Sequence, residues 1–293
     1  MSAKLGIGTV QFGLDYGISN KEGKTTPEEV EEILHVASEN RIRFIDTAAL
    51  YGSSEEVLGK SLPLDHKFDV ITKTAKFTKD FINSDDVQLL EDTFYRSLQK
   101  LRQPSLYGLL IHDAQDLLKK DGRLLMEKMV NLKRQGLVKK IGVSIYTGQH
   151  IDQILNNYRI DMIQLPINIF DQRLLFSGHI SKLKKYEIEI HARSLFLQGL
   201  LLMDIGCIPP CFDTIRNHLK NYHIFLHTEG ISPLQAAIGF VMGLDEIDAA
   251  ICGINNHHQL QEICAVTKPL RGVKFDDFAV FDESIVNPSK WVN

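Results

Sequence analysis

FIDTAALYGSSEEVLGKSL, residues 44–62, is the stretch of the chain with the most specific pattern. An apolar run ends here at an acidic residue, Asp46, and Tyr51 follows five positions later in a loop of small residues before Gly52. A short apolar run that stops at a polar residue is typical of a buried strand. Asp46 is therefore either an ordinary turn residue or one part of a functional group that also includes Tyr51.

Further apolar runs of the same kind occur at near-regular intervals along the 293 residues. Most are nearly continuous in Ile, Val and Leu rather than alternating, as expected for strands that are buried on both faces of a parallel sheet. Together with the run that ends at Asp46, the eight predicted strands are 4–9, 42–46, 70–73, 107–112, 140–144, 162–167, 187–194 and 248–253.

Helical patterns separate these runs. Residues 27–40 follow Thr26, a predicted N-cap, and Glu29 stands at the position that completes a capping box. Apolar stripes at helical spacing predict further helices at 85–102 and at 122–136. Strand and helix patterns thus alternate eight times along the chain.

That alternation favours one (β/α)8 TIM barrel of the α/β class over two smaller domains, since roughly 250 residues is the usual size of this barrel. The prediction assigns residues 1–293 to a single barrel domain. Two parts exceed the simple pattern, namely a longer segment after strand seven, at about 201–231, and a C-terminal extension at about 270–293.

The composition excludes several classes of partner. The chain carries 33 Lys and Arg residues against 37 Asp and Glu, a formal net charge of −4, and no basic patch that would suit nucleic acid or an anionic membrane. Four cysteines form no CxxC pair and no metal-ligand cluster is evident, so we predict reduced thiols and no metal site. Neither a signal peptide nor an apolar run of roughly 18 residues is evident, which indicates a cytoplasmic protein.

Polar residues end the predicted strands two, three and four, and they are Asp46, Lys73 and His112. Tyr51 lies in the loop just beyond Asp46. Because the C-terminal ends of barrel strands converge on one mouth, where active sites form, we expect these four side chains to lie together. Each of them alone also has a purely structural explanation, but their coincidence at consecutive strand ends favours a catalytic group.

These residue types indicate carbonyl chemistry. A tyrosine has a pKa near 10, and the ammonium of Lys73 is expected to lower the pKa of Tyr51 by favouring the phenolate. Asp46 would hold Lys73 in place and charged, and His112 would orient a substrate oxygen. Such a set suits a carbonyl whose oxygen gains a proton while its carbon gains a hydride.

Nearly the whole chain resembles the aldo-keto reductase family. The stretch 44–62 is the most specific segment, whereas VITK (70–73) alone is weak. The resemblance implies a (β/α)8 barrel that binds a nicotinamide cofactor without a Rossmann fold, with the four residues above as its catalytic set. The other matching segments are GIGTVQFG (6–13), LLIHD (109–113), IGVS (141–144), IQLPIN (163–168), ARSLFLQGLL (192–201) and ICGINNHHQLQEI (251–263).

Cofactor-binding positions are also implied by the resemblance. They cover both faces of the nicotinamide, its carboxamide, the pyrophosphate and the adenosine. The positions are Gly8 and Thr9 beneath the nicotinamide, Ser144 and Gln164 at its carboxamide, Arg193 at its stacking position, Ser194, Leu195, Gln198 and Gly199 over the pyrophosphate, and Gly253, Asn255, Asn256, Gln259 and Glu262 at the adenosine end.

Two departures from the family pattern lie near the nicotinamide. Ile145 replaces the asparagine that often follows the strand-five serine. Arg193 replaces the aromatic residue that many members stack on the nicotinamide. A planar guanidinium there can still stack, or it can pair with an anionic group of the substrate.

A third departure concerns the choice of cofactor. Gln259 replaces the arginine that commonly binds the 2′-phosphate of NADP, and Gly253 replaces a lysine, which leaves His257 and His258 as the nearby basic residues. The family mostly uses NADPH, so the resemblance favours NADP(H), with NAD(H) as the alternative.

The sequence therefore predicts an enzyme that reduces an aldehyde or ketone with NAD(P)H, or catalyses the reverse reaction, on a small-molecule carbonyl substrate. Two other functions stay open, a cofactor-binding accessory or regulatory barrel with little turnover and a barrel isomerase or lyase that uses no nicotinamide. Several residues are candidates for either a substrate pocket or simple packing, namely Phe12, Asp15, Tyr16, Phe170, Phe275, Phe278 and Trp291.

Overall fold

Eight parallel strands close into one barrel in sequence order, with the first strand paired to both the second and the eighth. This confirms the predicted (β/α)8 class. The computed structural model describes residues 4–63 and 65–291, so that residues 1–3, 64, 292 and 293 of the predicted domain lie outside the described residues. The strands are β1 (Lys4–Gly8), β2 (Phe44–Asp46), β3 (Asp69–Lys73), β4 (Leu106–Ile111), β5 (Val138–Ser144), β6 (Met162–Pro166), β7 (Glu189–Arg193) and β8 (Ala249–Gly253).

Helices connect the strands on the outside of the barrel. None of the helices in the described residues is long and apolar enough to cross a membrane. The α-helices are α1 (Val10–Gly13), α2 (Pro27–Glu39), α3 (Ser54–Ser61), α4 (Ser84–Leu101), α5 (Gln115–Leu118), α6 (Arg123–Arg134), α7 (Gly148–Asn157), α8 (Arg173–Phe176), α9 (His179–Lys185), α10 (Arg216–Glu229), α11 (Pro233–Met242), α12 (His257–Ala265) and α13 (Glu283–Val286).

The core has an inner and an outer layer because successive strand residues point to opposite faces. In β2, Phe44 packs inside the barrel with residues such as Met162, whereas Ile45 packs outside against the helices. Gly142 in β5 leaves room for the neighbouring strand, since a Cβ there would lie 1.9 Å from the carbonyl oxygen of Met162. Strands buried on both faces explain why the apolar runs of the sequence hardly alternate.

Helix ends differ slightly from the predicted ones because their caps involve residues outside the expected pattern. Thr26 Oγ1 accepts a hydrogen bond from Glu29 N at 3.3 Å, but the Glu29 carboxylate accepts from His257 instead of completing a capping box. The helix predicted at 85–102 starts one residue earlier, with Asn83 as its N-cap. The helix predicted at 122–136 ends at Arg134.

The segment after β7 and the C-terminal part pack against each other. Residues 201–231 contain most of the 3-10 turns Leu200–Leu202, Ile205–Cys207 and Pro210–Ile215, followed by α10. Their apolar side chains form a second buried cluster that includes Phe170, Tyr222 and Phe275, with Phe278 and Trp291 packed against it. The aromatic residues that were candidates for a substrate pocket in this region therefore serve packing.

Candidate active site

A cavity of about 810 Å³ opens at the C-terminal ends of the strands. It is lined by the C-terminal ends of seven strands, all but β4, and by residues of the loops that follow β1, β2, β3, β4, β5, β7 and β8. Its volume lies in the range typical of ligand sites. The barrel topology thus gathers residues that are far apart in sequence around one space.

Asp46, Tyr51, Lys73 and His112 all line this cavity. Lys73 Nζ lies 2.6 Å from Asp46 Oδ2 and 3.4 Å from the Tyr51 hydroxyl, and it also donates to the Thr47 carbonyl at 2.9 Å. The Tyr51 and His112 rings meet edge to face, with centroids 5.9 Å apart. The four side chains form one contiguous group, with the ammonium of Lys73 at its centre.

Asp46 is held from two sides. Its Oδ2 accepts from Lys73, and its Oδ1 accepts from Gln164 Nε2 at 2.7 Å. The side chains of Lys73 and Asp46 are only 1% and 6% exposed, so this ion pair lies in a low-dielectric interior. Gln164 Oε1 is buried and has no hydrogen-bond partner among the described residues. This acceptor at the end of β6 is therefore left unsatisfied at the wall of the cavity.

The loop that carries Tyr51 is fixed by close backbone contacts. Gly52 has a φ of +56°, and a Cβ at that position would lie 2.4 Å from the carbonyl oxygen of Gly13. A side chain at Gly52 would therefore be both strained and obstructed. Ser54 Oγ, at the start of α3, donates to the Thr9 carbonyl at 2.8 Å and so ties this loop to the end of β1.

Burial changes the pKa of Tyr51 in the direction opposite to the prediction. Desolvation raises this pKa, and although the Lys73 ammonium lowers it, the pKa ends above its ordinary value. Burial also opposes the charged form of Lys73, but Asp46 and Tyr51 outweigh it and the pKa of Lys73 is raised. Tyr51 is thus a protonated phenol beside a charged ammonium.

His112 lies one residue beyond the end of β4. Burial, and after it the charge of Lys73, lowers the pKa of His112 to about 4. Its Nδ1 is buried without a partner among the described residues. His112 is therefore a neutral imidazole at neutral pH, which can donate one hydrogen bond.

We expect the imidazole resonance of His112 in NMR spectra to titrate near pH 4, because its charged form is poorly solvated in the folded protein. The unfolded chain takes up this proton near pH 6.5. As the pH falls from 6.5 toward 4, the unfolded state binds the proton first, so the free energy of unfolding decreases in this window. The stability of His112→Gln should vary less with pH there than that of His35→Gln, a control on the exposed side of α2. A His112 resonance that titrates near pH 6.5 would contradict this assignment.

All the predicted cofactor-binding residues except Asn256 line the cavity. Asn256 instead caps α12, because its side chain accepts a hydrogen bond from Gln259 N. Sequence reasoning missed further lining residues in the loops after β1, β2, β3, β4 and β5, for which only the position beyond a strand end was a signal. They include Gln11, Ser19, Asn20, Leu50, Lys76, Asp113 and Tyr146.

The loop after β7 has the geometry of an anion site. Ser194, Leu197, Gln198 and Gly199 all have positive φ values, of 61°, 49°, 53° and 95°. Among the described residues, the backbone amides of Leu195 and Gln198 donate to no protein acceptor. Successive backbone N–H groups in such a conformation form a concave site for phosphate oxygens. The loop after β7 thus presents two unpaired backbone amides at the wall of the cavity.

The end of the cavity beside α12, which is the predicted adenosine end, differs in charge from the end that Tyr51, Lys73 and His112 line, which we call the reaction end. Glu262 and Gln259 of α12 line it, and Gln259 Oε1 accepts from Asn255 N at 2.9 Å. His257 is turned to Glu29, with 2.7 Å between Nδ1 and Oε1. Within the part of the chain that the structure describes, no Lys or Arg of β8 or α12 lines the cavity.

Arg193, at the end of β7, reaches into the reaction end. Its guanidinium lies over the Tyr146 ring, 4.2 Å from the centroid, and donates to Ile145 O at 3.1 Å and to Ser194 Oγ at 3.2 Å. The two departures predicted near the nicotinamide are thus in contact. The Ile145 carbonyl helps to orient the guanidinium.

The fold and site define a (β/α)8-barrel protein with a Tyr–Lys–Asp–His group at the mouth of the barrel. The model of the Aldo/keto reductase family matches residues 4–279, and the chain belongs to this family. Aldo-keto reductase YhdN of Bacillus subtilis (strain 168) is 26% identical over 181 residues, which are 59% of this chain and 52% of that protein. The match thus spans about half the length of this curated relative.

Solved structures of low sequence identity share the fold. The aldo-keto reductase AKR11C1 from Bacillus halodurans, in its holo form, aligns with a TM-score of 0.73 at 18% identity over 92% of this chain and 88% of its own. The glycerol dehydrogenase AKR11B4 from Gluconobacter oxydans aligns with a TM-score of 0.70 at 19% identity over 98% of this chain and 94% of its own.

Proposed function

We propose that this protein is an oxidoreductase that reduces an aldehyde or ketone to an alcohol, or catalyses the reverse reaction, with a nicotinamide cofactor. The observation that carries the proposal is the Tyr51 hydroxyl, which is half-buried at the cavity and lies 3.4 Å from the ammonium of Lys73. Family membership and the phosphate-binding geometry after β7 support the same function.

The cofactor would supply a hydride to the carbonyl carbon. Tyr51 holds the proton that the carbonyl oxygen receives, since burial keeps its phenol protonated. Lys73 stabilises the phenolate that proton transfer leaves behind, and Asp46 keeps Lys73 charged and in position. Neutral His112 donates a hydrogen bond that orients the carbonyl oxygen. Catalysis therefore rests on one acid and three residues that position or polarise.

The chain would hold the cofactor along the cavity floor. Gln164, with Ser144 as its neighbour in register on β5, would hold the carboxamide. The loop after β7 would hold the pyrophosphate through its unpaired amides. The remaining predicted positions, among them Gly8, Thr9 and Asn255, shape the two ends of the site.

A direct test is calorimetry with NADH and NADPH, followed by a spectrophotometric screen of aldehydes and ketones. Cofactor oxidation that depends on the carbonyl would support the proposal. Cofactor binding without turnover of any carbonyl would favour an accessory barrel instead. Failure of both cofactors to bind would favour a barrel isomerase or lyase that uses no nicotinamide.

The adenosine end supports NAD(H) as the better ligand, although the family resemblance favours NADP(H). A 2′-phosphate there would meet the Glu262 carboxylate, and the nearest imidazole, His257, is already paired with Glu29. An uncompensated phosphate beside a carboxylate is electrostatically unfavourable. We therefore expect NADH to bind at least as tightly as NADPH.

Gln259→Arg is expected to tighten NADPH binding by about tenfold, equal to ~1.4 kcal/mol, because it adds a cation to the end of the cavity that Gln259 and Glu262 line. The dissociation constant of NADH should change much less. Gln261→Arg, an exposed position on the same helix outside the cavity, adds the same charge and is the matched control. Equal gains for both cofactors, or equal gains in both variants, would contradict a 2′-phosphate site at Gln259.

A further inference from the structure

A second cavity, of about 240 Å³, lies at the opposite end of the barrel from the candidate active site, and we call it the lower cavity. It is surrounded by the N-terminal ends of β1, β2, β3, β4, β5 and β7 and by the residues that lead into β8. Ionisable side chains thus meet at a place that the proposed reductase function does not use. The lining residues are Phe44, Tyr107 and Ile247 together with the charged Lys4, Arg43, Asp69, Lys139, Glu189 and Asp248.

The carboxylates of the lower cavity already pair with cations of the chain. The pairs are Arg43–Asp69, Lys140–Glu189 and Lys184–Asp248. Glu189 is held most firmly, because it also accepts from the Tyr107 hydroxyl at 2.8 Å and lies 2.6 Å from His191 Nε2. Burial raises the pKa of Glu189, but the hydrogen bonds from His191 and Lys140 outweigh burial and lower this pKa to about 2. The negative charges of the lower cavity are therefore balanced within the protein.

Three cations of the lower cavity have donors that the chain does not use. Lys4 and Lys139 form neither an ion pair nor a side-chain hydrogen bond with any residue that the structure describes. Lys139 Nζ lies over the Tyr107 ring, 5.4 Å from its centroid. Arg43 binds Asp69 through Nε, which leaves both terminal nitrogens of the guanidinium without an acceptor in the described chain. Donors of positive charge are thus in excess at this cavity.

The charge balance of the lower cavity therefore favours an anion. Its lining residues and their ion-pair partners comprise five cations and three carboxylates, a net charge of +2 with His191 neutral. Phe44 and Ile247 are buried and keep water from part of the wall, which strengthens an ionic interaction there. A planar guanidinium and ammonium groups are the donors that bind phosphate oxygens in proteins. The five cations are Lys4, Arg43, Lys139, Lys140 and Lys184.

We propose that the lower cavity binds a small tetrahedral oxyanion of the phosphate type, held between Lys4, Arg43 and Lys139. This inference does not depend on the proposed reductase function. The cavity is much smaller than the 810 Å³ of the candidate active site, which suits a single phosphate group rather than a dinucleotide. Such an anion would connect β5 with β1 and with the residue before β2 across the opening of the barrel, and it would stabilise the folded protein by mass action.

Calorimetry with inorganic phosphate, at constant ionic strength and at a pH where phosphate is doubly charged, tests the site. Lys4→Met and Lys139→Met are each expected to weaken phosphate binding about tenfold, because each removes one charge-assisted hydrogen bond. Lys67→Met removes the same charge from an exposed residue just before β3, outside the lower cavity, and is the matched control. Titration with glycerol 3-phosphate in the same way distinguishes the two sources of this group, since tighter binding of the ester would identify a phosphorylated metabolite rather than free phosphate.

Crystals soaked in selenate, a tetrahedral dianion that anomalous scattering locates, would show where the anion binds. The expected result is a selenate peak among Lys4, Arg43 and Lys139, together with weaker phosphate binding in the two cavity variants alone. Circular dichroism spectra that match the wild type would show that these variants fold. Unchanged phosphate binding in Lys4→Met and Lys139→Met would overturn the proposal, as would an equal loss in Lys67→Met or a selenate peak only at the loop after β7.

Discussion

Tyr51→Phe is expected to lower kcat for carbonyl reduction by roughly 10²–10⁴-fold, the usual contribution of a general acid. The variant loses only the hydroxyl oxygen that lies 3.4 Å from Lys73 Nζ. Water is a poor replacement as proton donor, because it would not be held beside Lys73 as the phenol is by the close backbone contacts of its loop. The dissociation constant of the cofactor should stay close to the wild-type value, since the phenol stands at the reacting carbonyl.

Steady-state kinetics and calorimetry on the same preparations would measure both quantities. Tyr95→Phe removes the same atom from an exposed residue of α4 and is the matched control. A Tyr51→Phe enzyme with full reductase activity would rule out Tyr51 as the proton donor. A parallel loss of cofactor binding would show that the hydroxyl serves binding rather than proton transfer.

Asp46→Leu is expected to lower the free energy of unfolding by about 3–5 kcal/mol, because it leaves Lys73 buried without its counter-charge. Lys73 is 1% exposed and pairs with no other carboxylate among the described residues, so it must either remain charged at high cost or lose its proton. A neutral or displaced Lys73 no longer supports Tyr51, so reductase activity should fall along with stability.

Urea unfolding of the single and double variants would separate the interaction energy of the Asp46–Lys73 pair from the contribution that each residue makes alone. The double variant Asp46→Leu/Lys73→Met removes both charges and should recover much of the stability lost in Asp46→Leu. The exposed pair of Glu56 and Lys60 on α3 provides the control, since breaking it should cost only about 0–1 kcal/mol. Additive losses at Asp46 and Lys73 would contradict a strongly coupled buried pair.

Local patterns in the sequence were sufficient to predict the architecture and the position of the group formed by Asp46, Tyr51, Lys73 and His112. Eight apolar runs separated by helical stripes predicted the barrel, because strand and helix periodicities depend on neighbouring residues. The polar residues at the ends of β2, β3 and β4 predicted that Asp46, Lys73 and His112 meet, since parallel strands in a barrel have their C-terminal ends at one mouth. The structure places these residues within hydrogen-bond or ring contact.

Only the tertiary structure decided the electrostatics of that cluster. The sequence predicted a lowered pKa for Tyr51, because Lys73 was its visible neighbour. Burial depends on elements from the whole chain, and its desolvation outweighs the ammonium. Likewise, His257 pairs with Glu29, which lies 228 positions away in the sequence. The periodicity of strands and helices can be recognised from residues that are close together in the sequence. In contrast, pKa values, cofactor preference and substrate class depend on which residues from distant parts of the sequence pack together and exclude water.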